Sequence, residues 1–86
     1  MDQLLEEIRP LIAKSAKVDP QAIELDGDLF MEYGIDSLEG LKLLALLEQR
    51  YGITIPDHEL LHLNTLGRIV EAIERARHSD GVVKEA

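Results

Sequence analysis

The sequence contains no cysteine among its 86 residues. This absence excludes disulfide bonds, a cysteine-ligated metal site and a cysteine nucleophile. If the protein takes part in thioester chemistry, the sulfur must therefore belong to a group that is added after synthesis.

Long apolar runs are also missing. No stretch approaches the roughly 20 apolar residues that a membrane-crossing helix needs. The N-terminus has neither the basic start nor the apolar stretch of a secretory signal peptide. We therefore expect no membrane insertion and, by default, a cytoplasmic location.

Basic residues are scarce: nine Lys and Arg face 17 Asp and Glu, so the formal net charge is −8. Such a surface repels nucleic acid and anionic membranes and favours partners with basic patches. The chain length is typical of one domain, and a domain this small buries only about 60% of its unfolded surface. A deep active-site cleft is not expected, which argues against a self-sufficient enzyme.

Apolar residues recur at three- and four-residue steps in several segments, which indicates helices and no strand. The first helix is predicted over residues 2–15, where Pro10 should kink or divide it. The other predicted helices run from Ser37 to Tyr51, from Asp57 to about Leu61, and from Asn64 or Thr65 to Arg77. The expected architecture is an all-α bundle of three longer helices and one short helix over residues 1–77, followed by a flexible polar tail over residues 78–86.

A long connection, residues 16–36, separates the first two helices. Its Asp-Pro and Asp-Gly-Asp segments are turn signals. Because a loop of this length is unusual without anchors, we expect four apolar residues to hold it against the core: Val18, Ile23, Leu25 and Leu29.

Ser37 stands at the predicted start of the second helix, directly after Asp36 and shortly after Gly34. Asp36 is a favourable N-cap, and Glu39 three residues later resembles the second half of a capping box. A serine at this position lies beside unsatisfied N–H groups at the positive end of the helix dipole, where a phosphate would be stabilised. A plain helix cap is the commoner use of such a serine, so this pattern alone does not decide between the two.

A helical wheel of the second helix shows apolar residues on two different sides. Leu38, Leu41 and Ala45 lie on the side that also carries Ser37 and Glu48. Exposed apolar residues flanked by charges often mark a docking surface, although coverage by the long connection or the short helix remains equally open. The other side is the predicted core face: Gly40, Leu43, Leu44, Leu47 and Tyr51. Its glycine, which costs about 1 kcal/mol of helix stability relative to alanine, should leave room for a neighbouring helix or a bound chain.

Short motifs follow one another in a specific order along the chain. Residues 36–43 read Asp-Ser-Leu-Glu-Gly-Leu-Lys-Leu, and residues 55–57 read Ile-Pro-Asp. Together with residues 18–20, 28–30, 48–51 and 65–73, these motifs resemble the acyl carrier protein family. The likeness covers about residues 4–77. An isolated Asp-Ser-Leu is a weak signal, whereas the ordered set is specific.

This resemblance implies an antiparallel bundle of three longer helices, with the short helix before the last one. It implies that Ser37 carries a covalent 4′-phosphopantetheine arm from coenzyme A, and that Asp36 helps the phosphopantetheinyl transferase to recognise the site. The protein would be a monomeric carrier domain without catalytic residues, and tethering would raise the effective concentration of its cargo. Its other partners would be an acyl- or aminoacyl-loading enzyme and downstream synthase and transferase enzymes. The predicted partner-contact residues are Leu38, Glu39, Leu41, Lys42, Ala45 and Glu48.

The charge pattern departs from that of the family. Lys42 stands where the family commonly has Glu, and Gln49 and Arg50 dilute the usual acidic run. Residues 1–32 carry eight acids and three bases, a net of −5, whereas residues 36–62 carry five acids and two bases, a net of −3. Because charge patterns suppress wrong partners, we expect a dedicated fatty-acid-like, polyketide or specialised lipid pathway rather than general fatty acid synthesis.

Three alternatives remain. An aminoacyl or peptidyl carrier is less favoured, because Ile35 stands where those carriers often have a second glycine. An unmodified helical docking module could share the same pattern without the arm. Residues 58–62 read His-Glu-Leu-Leu-His, which matches the zinc-protease pattern. That segment is short, however, and Thr65 and Arg68 stand where the extended pattern needs Gly and His, so we expect no metal site.

Overall fold

Three α-helices dominate the computed structural model, which describes residues 2–78 and 81–82. They are α1 (Asp2–Ala16), α2 (Ser37–Tyr51) and α3 (Leu66–Arg77), and their connections contain two 3₁₀ turns, Pro20–Ala22 and Asp57–Glu59. The predicted all-α bundle is confirmed. The second helix begins and ends at the predicted residues, whereas the short helix predicted to reach Leu61 is only a three-residue 3₁₀ turn.

Pro10 lies inside α1 without dividing it. A proline in a helix interior removes one hydrogen bond and costs about 3 kcal/mol. Four residues on the two sides of Pro10 are buried: Leu4, Ile8, Ile12 and Ala13. Because burial of one large aliphatic side chain contributes roughly 1.5–3 kcal/mol, packing outweighs the proline and keeps α1 continuous.

Two contacts with Tyr51 define the directions of the helices. The hydroxyl of Tyr51, at the end of α2, donates a hydrogen bond to Glu7 Oε1 in the first half of α1 at 2.7 Å. The guanidinium of Arg77, at the end of α3, lies over the Tyr51 ring, 5.8 Å from its centroid. Thus α1 runs antiparallel to α2 and α3, and the C-terminal ends of α2 and α3 lie together.

The core is aliphatic and lies between the three helices. α3 supplies more of it than the longer α2, and the connections add several isoleucines and leucines. From α2 the buried residues are Gly40, Leu43, Leu44 and Leu47; from α3 they are Leu66, Ile69, Val70, Ala72, Ile73 and Ala76; from the connections they include Ile23, Leu29, Ile35, Ile53, Ile55 and Leu63.

The long connection is held by apolar and backbone contacts. Only two of its four predicted anchors, Ile23 and Leu29, are buried, whereas Val18 and Leu25 remain partly exposed. Leu25 nevertheless contacts α3, because its carbonyl oxygen accepts a hydrogen bond from the N–H of Gly67 at 3.1 Å. A backbone bond thus takes the place of side-chain burial at this point.

Asp28 organises the second half of the connection. Its Oδ1 accepts hydrogen bonds from the N–H groups of Phe30 and Met31 at 2.9 and 2.8 Å, and its Oδ2 accepts one from Asn64 Nδ2 at 2.8 Å. The N–H of Met31, followed by the amide of Asn64, lowers the pKa of this carboxyl group below its usual value. These bonds tie the chain before α2 to the segment that precedes α3.

The link after α2 is fixed by backbone hydrogen bonds. The N–H of Ile53 donates to the Glu48 carbonyl oxygen at 3.1 Å, and the N–H of Thr54 donates to the Gly81 carbonyl oxygen at 2.7 Å. Thr54 and Val82 also form an isolated parallel bridge. In the predicted tail over residues 78–86, positions 79–80 and 83–86 lie outside the described residues, and its flexibility stays a prediction. No helix in the described part of the chain is long and apolar enough to cross a membrane.

Candidate attachment site at Ser37

Gly34 turns the chain into α2. Its φ is 70°, in the left-handed region that glycine adopts without steric cost. The next residue, Ile35, is buried, and its N–H donates a hydrogen bond to the Leu29 carbonyl oxygen at 3.0 Å. This turn and its anchor leave Asp36 and Ser37 exposed at the head of α2.

Asp36 caps α2 as predicted. Its Oδ1 accepts a hydrogen bond from the N–H of Glu39 at 2.8 Å, and its carbonyl oxygen accepts one from the N–H of Gly40 at 2.8 Å. The side chain of Glu39, which the sequence suggested as the second half of a capping box, lies 3.7 Å from Lys42 Nζ instead. The cap therefore rests on Asp36, and Glu39 forms an ion pair on the helix surface.

Ser37 is the first residue of α2, and it is exposed. At this position the helix dipole is positive, and first-turn N–H groups have no carbonyl partner within the helix. A phosphodiester on the serine hydroxyl would therefore meet a favourable field, while its organic arm could extend into solvent. The residues at this position fit a phosphopantetheine group.

The apolar side of α2 that bears Ser37 is open to solvent. Leu38 is 63% exposed and Leu41 is 37% exposed, and Ala45 is exposed as well. Of the two interpretations that the sequence left open, full coverage is wrong: Leu38 and Ala45 are exposed and Leu41 is partly exposed, so an apolar strip reaches solvent.

Glu48 is half-buried and already engaged within the chain. Its Oε2 accepts a hydrogen bond from the N–H of Ile55 at 2.7 Å. Sequence reasoning assigned Glu48 to partner contact and missed this role, because the extended link that bends back to the helix carries no sequence signal. The carboxylate now helps to hold the link in place.

Gly40 permits close approach of two side chains from the connections, whereas the sequence predicted a neighbouring helix or a bound chain at this place. A methyl group added to Gly40 would lie 3.0 Å from Leu60 Cδ1 and 3.4 Å from Phe30 Cε1. Leu60 and Phe30 belong to the two segments that flank the first turns of α2. The glycine therefore lets both connections pack beside the helix that bears Ser37.

Two exposed residues near these contacts were missed by sequence reasoning. Met31, next to Phe30, is 86% exposed, and Leu61, next to Leu60, is 78% exposed. The predicted short helix over residues 57–61 would orient these leucines, but the observed turn ends at Glu59. The available signal was the pair of consecutive leucines at 60 and 61, because neighbouring side chains rarely point to the same side.

Residues 58–62 do not have the geometry of the zinc-protease pattern. That pattern places two histidines on one face of a helix, but the helical part here is only the turn Asp57–Glu59. His58 and His62 are exposed, whereas Glu59, the residue that would serve as the base, is 3% exposed. Within residues 2–78 and 81–82, no group of three or more His, Asp or Glu is placed to hold a metal ion.

Comparisons with known proteins point to one family. A family model described as a phosphopantetheine attachment site matches residues 6–73. The chain is 33% identical over 72 residues to the acyl carrier protein of Campylobacter hominis, which covers 84% of this chain and 91% of that protein. It is 32% identical over 72 residues to the acyl carrier protein of Campylobacter concisus, with 84% and 94% covered. It is also 32% identical over 71 residues to that of Helicobacter acinonychis, with 83% and 91% covered.

These matches establish what kind of protein this is. Acyl carrier proteins are carriers rather than enzymes, they bear a covalently attached 4′-phosphopantetheine, and they interact with enzymes such as synthases and transferases. The exposed head of α2 lies within the matched region. Because the match spans most of the chain, this protein belongs to the acyl carrier protein family.

Proposed function

We propose that Ser37 is the residue that bears the 4′-phosphopantetheine arm, and that Asp36 takes part in recognition by the phosphopantetheinyl transferase. The observation that carries this proposal is the exposure of Ser37 at the first position of α2, directly after its cap and inside the matched region. Ser15, by contrast, is half-buried near the end of α1. A transferase can reach the hydroxyl of Ser37 without local unfolding.

The arm of this carrier holds acyl groups as thioesters and presents them to successive enzymes in a dedicated fatty-acid-like, polyketide or specialised lipid pathway. Acyl cargo is favoured over aminoacyl or peptidyl cargo because the relatives are named acyl carrier proteins. Ile35 supports the same choice, since it anchors the turn before α2 in a way that glycine could not. The monomeric state and the cytoplasmic location remain predictions.

Enzyme partners contact the exposed strip of α2 beside Ser37. Its members are either exposed or half-exposed, and they carry apolar groups together with the ion pair between Glu39 and Lys42. A surface that lies along the helix from the attachment point positions the arm toward the partner's active site. The proposed contact residues are Leu38, Glu39, Leu41, Lys42, Ala45 and Glu48.

Intact-mass measurement tests the attachment site. The protein is incubated with coenzyme A and a broad-specificity phosphopantetheinyl transferase, beside Ser37→Ala and the matched control Ser15→Ala. We expect the parent protein and Ser15→Ala to gain the mass of one phosphopantetheine, and Ser37→Ala to gain none. If folded parent protein gains no mass with several transferases, an unmodified docking module is the better account.

Loading by general fatty acid synthase enzymes tests the proposed pathway class. Lys42 places a positive charge on the docking helix, so we expect slow acylation of the modified protein by these enzymes. Acylation as fast as that of a carrier from general fatty acid synthesis would contradict a dedicated pathway, while it would leave the carrier function intact.

A further inference from the structure

The helix that bears Ser37 is electrically neutral in a strongly acidic protein. α2 contains two acids, Glu39 and Glu48, and two bases, Lys42 and Arg50, whereas the whole chain has a formal net charge of −8. Residues 17–35, before the helix, contain five acids and one base, a net of −4. Half of the negative charge therefore lies in the long connection rather than on the docking strip.

The three carboxylates at and along α2 are all engaged within the molecule. Asp36 accepts a hydrogen bond from the N–H of Glu39 at 2.8 Å. The carboxylate of Glu39 lies 3.7 Å from Lys42 Nζ, and Glu48 accepts a hydrogen bond from the N–H of Ile55 at 2.7 Å. A basic partner would have to compete with these contacts, and it would also meet the like charge of Lys42.

Apolar groups take the place of free carboxylates around Ser37. Leu38 projects from the first turn of α2 with 63% of its surface exposed. Met31 and Leu61 are even more exposed, and they directly follow Phe30 and Leu60, the two side chains that approach Gly40. Exposed apolar surface is thus present on the first turn of α2 and on the two segments that pack against Gly40.

We propose that the enzyme that loads cargo onto this carrier docks through an apolar surface, and not through a basic cluster. This inference rests on the proposed attachment of the arm to Ser37. An apolar contact of this kind is insensitive to salt, whereas recognition by a basic cluster weakens as salt screens it. The acidic connection before α2 attracts a basic partner only at long range. Salt screens that attraction, so the salt dependence of the rate also measures its size.

The test uses a purified malonyl transferase from a general fatty acid synthase, chosen for a basic carrier-binding surface. It moves a malonyl group from malonyl-coenzyme A to the thiol of the arm, so that a new thioester forms and free coenzyme A leaves. Rates are compared for the modified parent protein, Lys42→Glu with Leu61→Glu, and the control Lys14→Glu with Val18→Glu, which makes the same change of charge away from the strip.

We expect the parent protein and the control to load slowly, with kcat/KM nearly constant between about 50 and about 500 mM KCl. The variant with Lys42→Glu and Leu61→Glu should load about tenfold faster at low salt and lose that gain at high salt. Fast, salt-sensitive loading of the parent protein, or a gain no larger than that of the control, would overturn the inference. The intact mass of each protein is measured before the assay, so that failure of the docking inference can be distinguished from failure of arm attachment. If none of the proteins carries the arm, the proposed function is wrong and this inference is wrong with it.

Discussion

The helices α2 and α3 are similar in length but use their apolar residues differently. Six of the 12 residues of α3 are buried, compared with four of the 15 residues of α2. In α2, three leucines remain exposed: Leu38, Leu41 and Leu46. The comparison shows that α3 contributes half of its residues to the core, whereas α2 leaves part of its apolar surface in solvent.

The largest expected effect is the difference in stability lost when one side chain is truncated in each of the two helices. Ile73, in α3, has no exposed surface, so Ile73→Ala leaves a cavity and should lower the free energy of unfolding by about 2–5 kcal/mol. Leu38→Ala removes a side chain that is mostly in water and should change it by no more than about 0.5 kcal/mol. Urea denaturation followed by circular dichroism measures both. Equal losses would mean that Leu38 packs in solution and that the division between the helices is wrong.

An intermediate effect is expected at the cap of α2. Asp36→Ala leaves the N–H of Glu39 without its acceptor and should destabilise the protein by about 1 kcal/mol. Asp36→Asn keeps an acceptor at the same place and should retain most of that stability. Urea denaturation measures the loss, and the rate of arm attachment by the transferase is measured on the same proteins.

The two substitutions separate capping from recognition. If Asp36→Asn folds like the parent protein but is modified more slowly, the charge of Asp36 serves the transferase. Asp19→Ala is the control, because Asp19 caps only a three-residue 3₁₀ turn through the N–H of Gln21. A loss of stability in Asp36→Ala no larger than in Asp19→Ala would show that the cap of α2 is dispensable.

The boundaries of α2 followed from its sequence because local chemistry defines both ends. Asp36 accepts the capping hydrogen bond, and Gly52 ends the helix in a left-handed conformation, with φ of 65°. Such signals depend only on nearby residues, as does the placement of Ser37 in the first turn. The family motifs supplied the same serine independently, so the centre of the candidate site was predictable.

The surroundings of the site depend on contacts between distant segments, and local sequence patterns do not reveal such contacts. Glu48 binds the N–H of Ile55 across a bend, and Asp28 binds Asn64 from the other connection. The continuity of α1 through Pro10 likewise results from packing that outweighs a local preference. The exposure of Leu61 was missed for the same reason, because it depends on how the short turn packs against Gly40.

The smallest expected effect concerns pH and the connection that positions α2. The N–H of Met31, and then Asn64, lower the pKa of Asp28, so the folded protein binds a proton at this carboxyl less readily than the unfolded chain. A lowered pKa in the folded state contributes stability above the pKa of the unfolded chain, about 3.9. That contribution is lost as the pH falls through the lower pKa of the folded state. We therefore expect stability to decrease as the pH falls below about 4.

The variant Asp28→Asn removes this titration. Its stability should therefore fall less steeply than that of the parent protein as the pH is lowered, and it should be less stable near neutral pH. Thermal unfolding between about pH 6 and about pH 3 measures both effects. Glu7 is the internal comparison, because the hydroxyl of Tyr51 lowers its pKa at the opposite end of the bundle, and Tyr51→Phe should independently make the same fall in stability less steep. Since Asp28 ties down the connection next to Phe30, its protonation should also loosen the packing at Gly40 near Ser37. If the stabilities of Asp28→Asn and the parent protein coincide as the pH is lowered, the hydrogen bonds of Asp28 do not hold this connection in solution, and the head of α2 is positioned by Ile35 and the cap alone.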